Sequence, residues 1–237
     1  MISIVTGTLN REHLIPHIIK NTVDSSDKVE LILVDGGELN NETSKYIKNL
    51  NHPRIKLIEV GGRSSYPHFM NLGINQAKYD WICQWNDDCL LSNNWDDVIK
   101  ELTTEHDFYL FNWKYGNIED LHNDNWLDGE YGDKWWFICD NYNTTGHIVV
   151  NYGIYNKKIF KEIGMYNNEF KYYYADADMT LRAYLFGYKY KVLRNIKVLS
   201  LNTDKQAIHH NDDERIYEKN RLEYENKVLN KHIKFLT

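Results

Sequence analysis

Cysteine is scarce in this chain, basic charge is in deficit, and no apolar run is long enough to cross a bilayer. The three cysteines, Cys83, Cys89 and Cys139, are odd in number and form no CxxC pair. That argues against a disulfide framework or a paired-thiolate zinc site, and fits a reducing compartment. Lys and Arg total 28 against 34 Asp and Glu, a formal net charge of -6. A general nucleic-acid binder needs a basic face to neutralise phosphates, so no nucleic-acid partner is expected. A small anionic ligand has to be met locally, by a metal or a helix terminus. No stretch approaches the roughly 18 apolar residues of a membrane span, and the opening MISIVTGTLN lacks the basic and long apolar regions of a secretory signal. The expectation is a soluble, cytoplasmic protein with no membrane span. No internal repeat is present.

What the chain does hold is a globular composition, 42% apolar and 26% charged over 237 residues, with an unusual 18 Tyr and 7 Trp. A chain of this length can bury one sizeable core. In its first half, β-rich runs (ISIVTGT, VELILVDGG, IKLIEVGG, WICQWND, DFYLFNW) alternate with segments of helical character such as REHLIPHIIKNTV and NNWDDVIKELTTE. Strand, helix, strand, helix predicts an α/β fold: a single domain with a mostly parallel central sheet flanked by helices. After an irregular Gly-, Asn- and Trp-rich stretch from 113 to about 146, KKIFKEIG reads as a short helix ended by Gly164. ADADMTLRAYLFG reads as a helix stopped by Gly187, YKYKVL as a strand, and the charged tail as a C-terminal helical extension. The expected division is 1–112 and 113–212 within that domain, then the tail helix at 213–237.

Parallel sheets place ligand sites at the carboxyl ends of their strands. Thr8, Asn10 and Arg11 follow the first strand, Asp35 closes the second, and Asn86, Asp87 and Asp88 close the fourth. Two adjacent carboxylates ending a buried strand call for positive charge, and hard oxygen ligands favour Mg²⁺ or Mn²⁺. The alternative is a turn ahead of the next helix, with Asn93 or Asn94 as its N-cap.

Taken together, TLNR after a first strand, a second strand ending in Asp, NLGI in a helix, a strand ending in NDD, and ADAD opening a helix that closes in FGYK resemble family-2 GT-A glycosyltransferases. The resemblance covers roughly residues 1 to 200 and implies a donor-binding half at 1–112 and an acceptor-binding and catalytic half at 113–212. It implies the GT-A, Rossmann-like form of the α/β fold. It also implies an enzyme that moves a sugar from a nucleoside diphosphate sugar, a UDP-sugar foremost, to a hydroxyl of a glycan, glycolipid or glycoprotein with inversion. By the same likeness Thr8 and Asp35 flank the base, Asn10 and Arg11 lie in the same motif, and Asn71 stands near the donor sugar. Asp88 is the ligand of the divalent cation, Asp87 secondary to it, Asn86 a contact to ribose or sugar, and His209 or His210 a further metal ligand. Asp176 is the general base; Asp178, two residues on, cannot share its helical face and is assigned with Trp135 and Trp136 to the acceptor. Four positions depart from the family pattern: Gly7 where relatives often carry Pro, Met70 where many carry Arg, Asn86 for the first Asp, and Ala175 for an acidic residue. Two other functions share this frame, a GT-A carbohydrate-binding module without turnover and a sugar nucleotidyltransferase, though the latter's Gly-rich basic loop is absent from TGTLNREHL.

Overall fold

The structure, a computed structural model, describes residues 1–92, 95–119, 153–171, 173–201 and 211–236. In chain order its elements are β1 (Ile2–Thr8), α1 (Ile15–Asn21), β2 (Val29–Asp35), α2 (Glu42–Leu50), β3 (Ile55–Glu59), α3 (Tyr66–Gln76), β4 (Trp81–Asn86) and β5 (Cys89–Leu91). A 3-10 turn (Trp95–Asp97) then leads into α4 (Val98–Glu101). β6 (Phe108–Gly116), β7 (Gly153–Asn156), α5 (Lys157–Ile163), α6 (Ala175–Leu185), β8 (Tyr190–Leu201) and α7 (Asn211–Leu236) follow.

Among the described residues the strands form one eight-stranded sheet in the order β3-β2-β1-β4-β7-β6-β8-β5. The β3-β2-β1-β4 half is parallel throughout. β7 runs antiparallel to both its neighbours, β5 is antiparallel to β8, and β6 pairs with β8 in parallel. Side-chain alternation explains why the central strands read as unbroken apolar runs. In β2, Val29, Leu31 and Leu33 pack with Ile15 and Ile18 of α1, whereas Ile32 packs with Met70 and Ile74 of α3 on the other face.

Local chemistry sets the helix ends. The side chains of Asn41, Ser65 and Asn156 cap α2, α3 and α5 by accepting from backbone N–H groups of the first turn. Gly164 at φ 92 closes α5, and Gly187 at φ 87 follows α6, as the sequence predicts. The helix expected around NNWDDVIKELTTE is shorter than its pattern. Leu102 is extended, and Thr103 N donates instead to the Tyr109 hydroxyl at 3.0 Å.

The order of the first four strands fixes where a ligand can sit. From β1 the chain moves outward to β2 and β3, then returns through α3 to place β4 on the opposite side of β1. That reversal opens a crevice between the carboxyl ends of β1 and β4. Phe69 of α3 lies over the neighbouring β1 and β2 ends. A Cβ built on Gly7 would stand 2.9 Å from its Cδ2, so only glycine admits the ring there. This accounts for Gly7 in a position where relatives often carry Pro. Met70, where many relatives carry Arg, is fully buried with Val5, Ile32 and Ile74.

Candidate active site

β1 stops at Thr8, and Asn10 at φ 53 reverses the backbone, a left-handed conformation that Asn tolerates better than most residues. Arg11 thus begins the turn into α1, its carbonyl accepting from Leu14 N at 2.9 Å. β4 stops alongside at Asn86, half-buried and in register with Gly7. The chain then turns through Asp87 and Asp88 directly into β5, so the two carboxylates do not cap a helix. The turn is held from both sides: Leu201 N donates to Asp88 O at 2.7 Å, and Trp85 Nε1 donates to Cys89 O at 3.1 Å.

The two loops meet through side chains. Thr8 Oγ1 donates to Asp87 Oδ2 at 2.9 Å. Arg11 Nη1 donates to Asp87 Oδ1 and to Asp88 Oδ2, each at 2.9 Å. Burial pushes the Asp87 carboxyl up to about 6, with Arg11 opposing and Asp88 adding to the rise. Against the desolvation that lowers it, the same two carboxylates raise the Arg11 guanidinium. Two carboxylates converging on one cationic nitrogen offer hard oxygens to a point of positive charge, so Asp87 and Asp88 fit a divalent cation. Among the described residues no group of three or more His, Cys, Asp and Glu gathers there. Further ligands would have to come from a bound diphosphate, or from His209 or His210, which lie outside the described residues.

A second carboxylate stands at the start of α6. Tyr174, left-handed at φ 61, leads into the helix, and Asp176 Oδ1 accepts from Ala177 N at 2.9 Å. Solvent still reaches part of the side chain, yet its surroundings are dense enough that desolvation pushes its carboxyl up to about 6. Ala175, where relatives carry an acid, is packed into the core at 1% exposure. Behind Asp176 lies a buried polar layer: Thr180 Oγ1 donates to Asp176 O and meets the Tyr155 hydroxyl, each at 2.9 Å, while the Tyr166 hydroxyl donates to Gln84 Oε1. Tyr66 stacks edge-on against Tyr166 at 6.0 Å, its hydroxyl buried beside Gln84 without a well-formed hydrogen bond among the described residues. Burial first, and then the charge of Asp176, hold this phenol protonated well above its ordinary range. Tyr173 is raised by burial and by the charge of Asp88, so the α6 approach and the Asp87–Asp88 turn share one electrostatic neighbourhood.

Several expected residues hold the scaffold together. Asp178 is fully buried, paired with Arg182 Nε at 2.9 Å, and accepts from Asn220 and Tyr224 of α7 at 3.4 Å each. The acceptor contact expected of it is therefore corrected: its carboxylate points into the α6–α7 packing. Asp35 is 1% exposed, its oxygens accepting from Gly37 N, Asn41 Nδ2 and Ser44 Oγ at 2.7 to 2.9 Å. It fastens the turn into α2 and presents no open edge to a base. Asn71 clamps the loop after α5, donating to Tyr166 O and accepting from Tyr166 N, both at 2.9 Å. Asn10 is exposed at its turn. Trp135 and Trp136 lie outside the described residues.

The sequence reading passed over Asp213, whose oxygens accept from Lys171 N and Tyr173 N at 3.0 Å and so pin the loop before Asp176. Its signal was an acid in the first turn of the tail helix, where carboxylates are common because they suit the helix dipole. Tyr66 passed unnoticed because nothing in SSYP marks a tyrosine as functional.

A family model described as glycosyl transferase family 2 matches residues 3–164. No curated protein matches the sequence. Among solved structures, the Pyrobaculum calidifontis mannosyltransferase PcManGT, in complex with GDP-Man and Mn2+, is similar at a TM-score of 0.64 and 13% identity, over 86% of this chain and 58% of that one. S. aureus TarS in complex with UDP-GlcNAc is similar at 0.65 and 16% identity, over 88% and 61%; its UDP complex is similar at 0.63 and 16%, over 91% and 62%. The chain thus spans about three fifths of the length of these structures.

Proposed function

The chain belongs to glycosyl transferase family 2, and from that premise we propose that it transfers a sugar from a nucleoside diphosphate sugar to an acceptor hydroxyl, with inversion and with a divalent cation, Mn²⁺ or Mg²⁺. The observation that carries the reading is the convergence of Asp87 and Asp88 on one cationic nitrogen at the strand-order reversal. A bound cation there would neutralise the charge that builds on the departing diphosphate. Solved structures of the same fold hold GDP-Man with Mn2+ and UDP-GlcNAc, which supports a nucleotide-sugar donor; a UDP-sugar is the first to try.

In the proposed reaction Asp176 takes the proton of the acceptor hydroxyl as that oxygen bonds to the anomeric carbon. The bond from that carbon to the diphosphate breaks on the opposite face, and its electron pair leaves with the nucleoside diphosphate. A carboxyl at about 6 is ionised at neutral pH yet basic enough to accept a proton, which suits this role. Thr8 and Arg11 steady the carboxylates, and Asn86 stands at the same edge for ribose or sugar. Asn10 lies at the mouth, and Asp35 and Asn71 support the turn and loop that frame it. Trp135 and Trp136 are assigned to the acceptor, and His209 or His210 to the cation. A glycan, glycolipid or glycoprotein is the acceptor class, and the reducing cytoplasm the proposed compartment. No helix among the described residues is long and apolar enough to cross a membrane.

The test is thermal unfolding with UDP, GDP, CDP and ADP, with and without Mn²⁺, on wild type and Asp88→Ala. A ligand at about a hundred times its Kd adds roughly 2.7 kcal/mol, a shift of several degrees for a chain this size. The expected result is a Mn²⁺-dependent shift with one nucleotide, lost in Asp88→Ala. The absence of any shift would overturn the nucleotide-sugar reading. Turnover of the matching donor surviving Asp176→Asn would remove Asp176 as the base.

A further inference from the structure

Arg11 is held where a metal ion would be. Its backbone is fixed by the left-handed Asn10 and by the turn that Leu14 closes on its carbonyl, so the side chain is directed back across the strand ends. A single nitrogen, Nη1, is shared by carboxylate oxygens of two consecutive residues at 2.9 Å each. A guanidinium usually engages one carboxylate with two nitrogens; sharing one nitrogen between two carboxylates is the geometry of a central cation. The Asp87 and Asp88 side chains are only 11% and 21% exposed, so two like charges shut away from water need a counter-charge even without a ligand. Arg11 supplies one that cannot be titrated away at any working pH. Its own side chain is 32% exposed, which leaves it an outward path.

We propose that Arg11 is the resident counter-ion of the Asp87–Asp88 pair and must release it before a divalent cation binds. This rests on the reading of that pair as the cation site. A metal ion at the point where these oxygens converge would take the place of the guanidinium nitrogen, so the nucleotide-free protein binds Mn²⁺ weakly. A diphosphate gives the guanidinium another anionic partner, draws it off the carboxylates, and brings negative charge of its own. Cation and diphosphate therefore bind cooperatively, each tightening the other by the same factor. The residue sets an order of assembly: the cation is admitted with the donor and refused without it.

The experiment uses nucleotide-free protein and Mn²⁺ alone, with free ion counted by electron paramagnetic resonance. Wild type is compared with Arg11→Met, Arg11→Lys and Arg11→Met/Asp88→Asn, the fold of each checked by its melting curve. Arg11→Met is expected to bind Mn²⁺ at least tenfold more tightly than wild type. Arg11→Lys, which keeps the charge, should stay as weak as wild type, and the double variant should lose the gain. Equal or weaker binding by Arg11→Met, tighter binding by Arg11→Lys, or a gain that survives in the double variant would overturn the proposal. No sugar transfer enters the readout. A failed nucleotide shift above and a failed Mn²⁺ gain here are therefore separate results.

Discussion

Replacing Asp176 by Asn should make the protein more stable while disabling it. The carboxyl has a pKa of about 6 in the folded chain against 3.8 for an ordinary Asp, and desolvation is the main cause. Below about pH 4 both folded and unfolded chains carry the proton, so the group contributes nothing to the difference. Between about pH 4 and 6 the folded chain keeps a proton that the unfolded chain has released, so stability falls as pH rises through that window. Above it the folded protein holds a poorly solvated charge at full cost. About two pH units correspond to about 3 kcal/mol, and solvent contact at the side chain reduces this to about 1 to 2 kcal/mol. Asn carries no charge, and its oxygen can still accept from Ala177 N as Asp176 does. In metal-free calorimetry at pH 8, Asp176→Asn should therefore melt about 2 to 8 °C above wild type, a margin that closes as pH approaches 4. A wild type at least as stable as the variant at pH 8, or a margin that does not depend on pH, would show that the carboxylate is well solvated or paired, and the desolvation argument would be wrong.

Other substitutions probe the frame around it. Tyr66→Phe removes a buried hydroxyl beside Gln84 and should change stability by less than about 1 kcal/mol in urea titrations; a larger loss would mean that the hydroxyl is fully satisfied. Arg182→Met leaves Asp178 uncompensated and strips donors from the carbonyls of Ile163 and Met165, so about 3 to 5 kcal/mol should be lost by the same assay; a loss below about 1 kcal/mol would refute the pairing. Gly7→Ala forces a methyl against the Phe69 ring and should cost about 1 to 3 kcal/mol, partly recovered by adding Phe69→Leu; equal stability would mean that the ring moves freely.

The sheet was legible because its signals are local. ISIVTGT became β1 to the residue, and β2 and β4 end where their apolar runs meet Asp35 and Asn86. The meeting of Thr8, Arg11, Asp87 and Asp88 was legible one step further on, since parallel strands bring their carboxyl ends to one edge. What Asp178 and Asp35 contact was not. Spacing says that Asp176 and Asp178 face different ways but not which way each faces; Arg182, four residues after Asp178, was the available cue. The partners of Asp35 include Asn41 and Ser44, polar residues of a cap whose geometry no periodicity reveals. The tail read only as a charged helical extension, yet Tyr217 is fully buried and stacks on Tyr174 at 5.3 Å. Such contacts join positions tens of residues apart, and a single sequence carries no record of them.

The pinning of the Lys171–Tyr173 loop by Asp213 has a consequence for how the protein is made. The loop that leads to Asp176 is made first, and the group that fixes it follows about forty residues later, on α7. Protein domains can begin to fold while still emerging from the ribosome. A nascent chain that has completed its sheet, whose last strand ends at Leu201, therefore still lacks the two hydrogen bonds that hold the loop before Asp176. Emergence of α7 is thus the last step that can order the approach to Asp176.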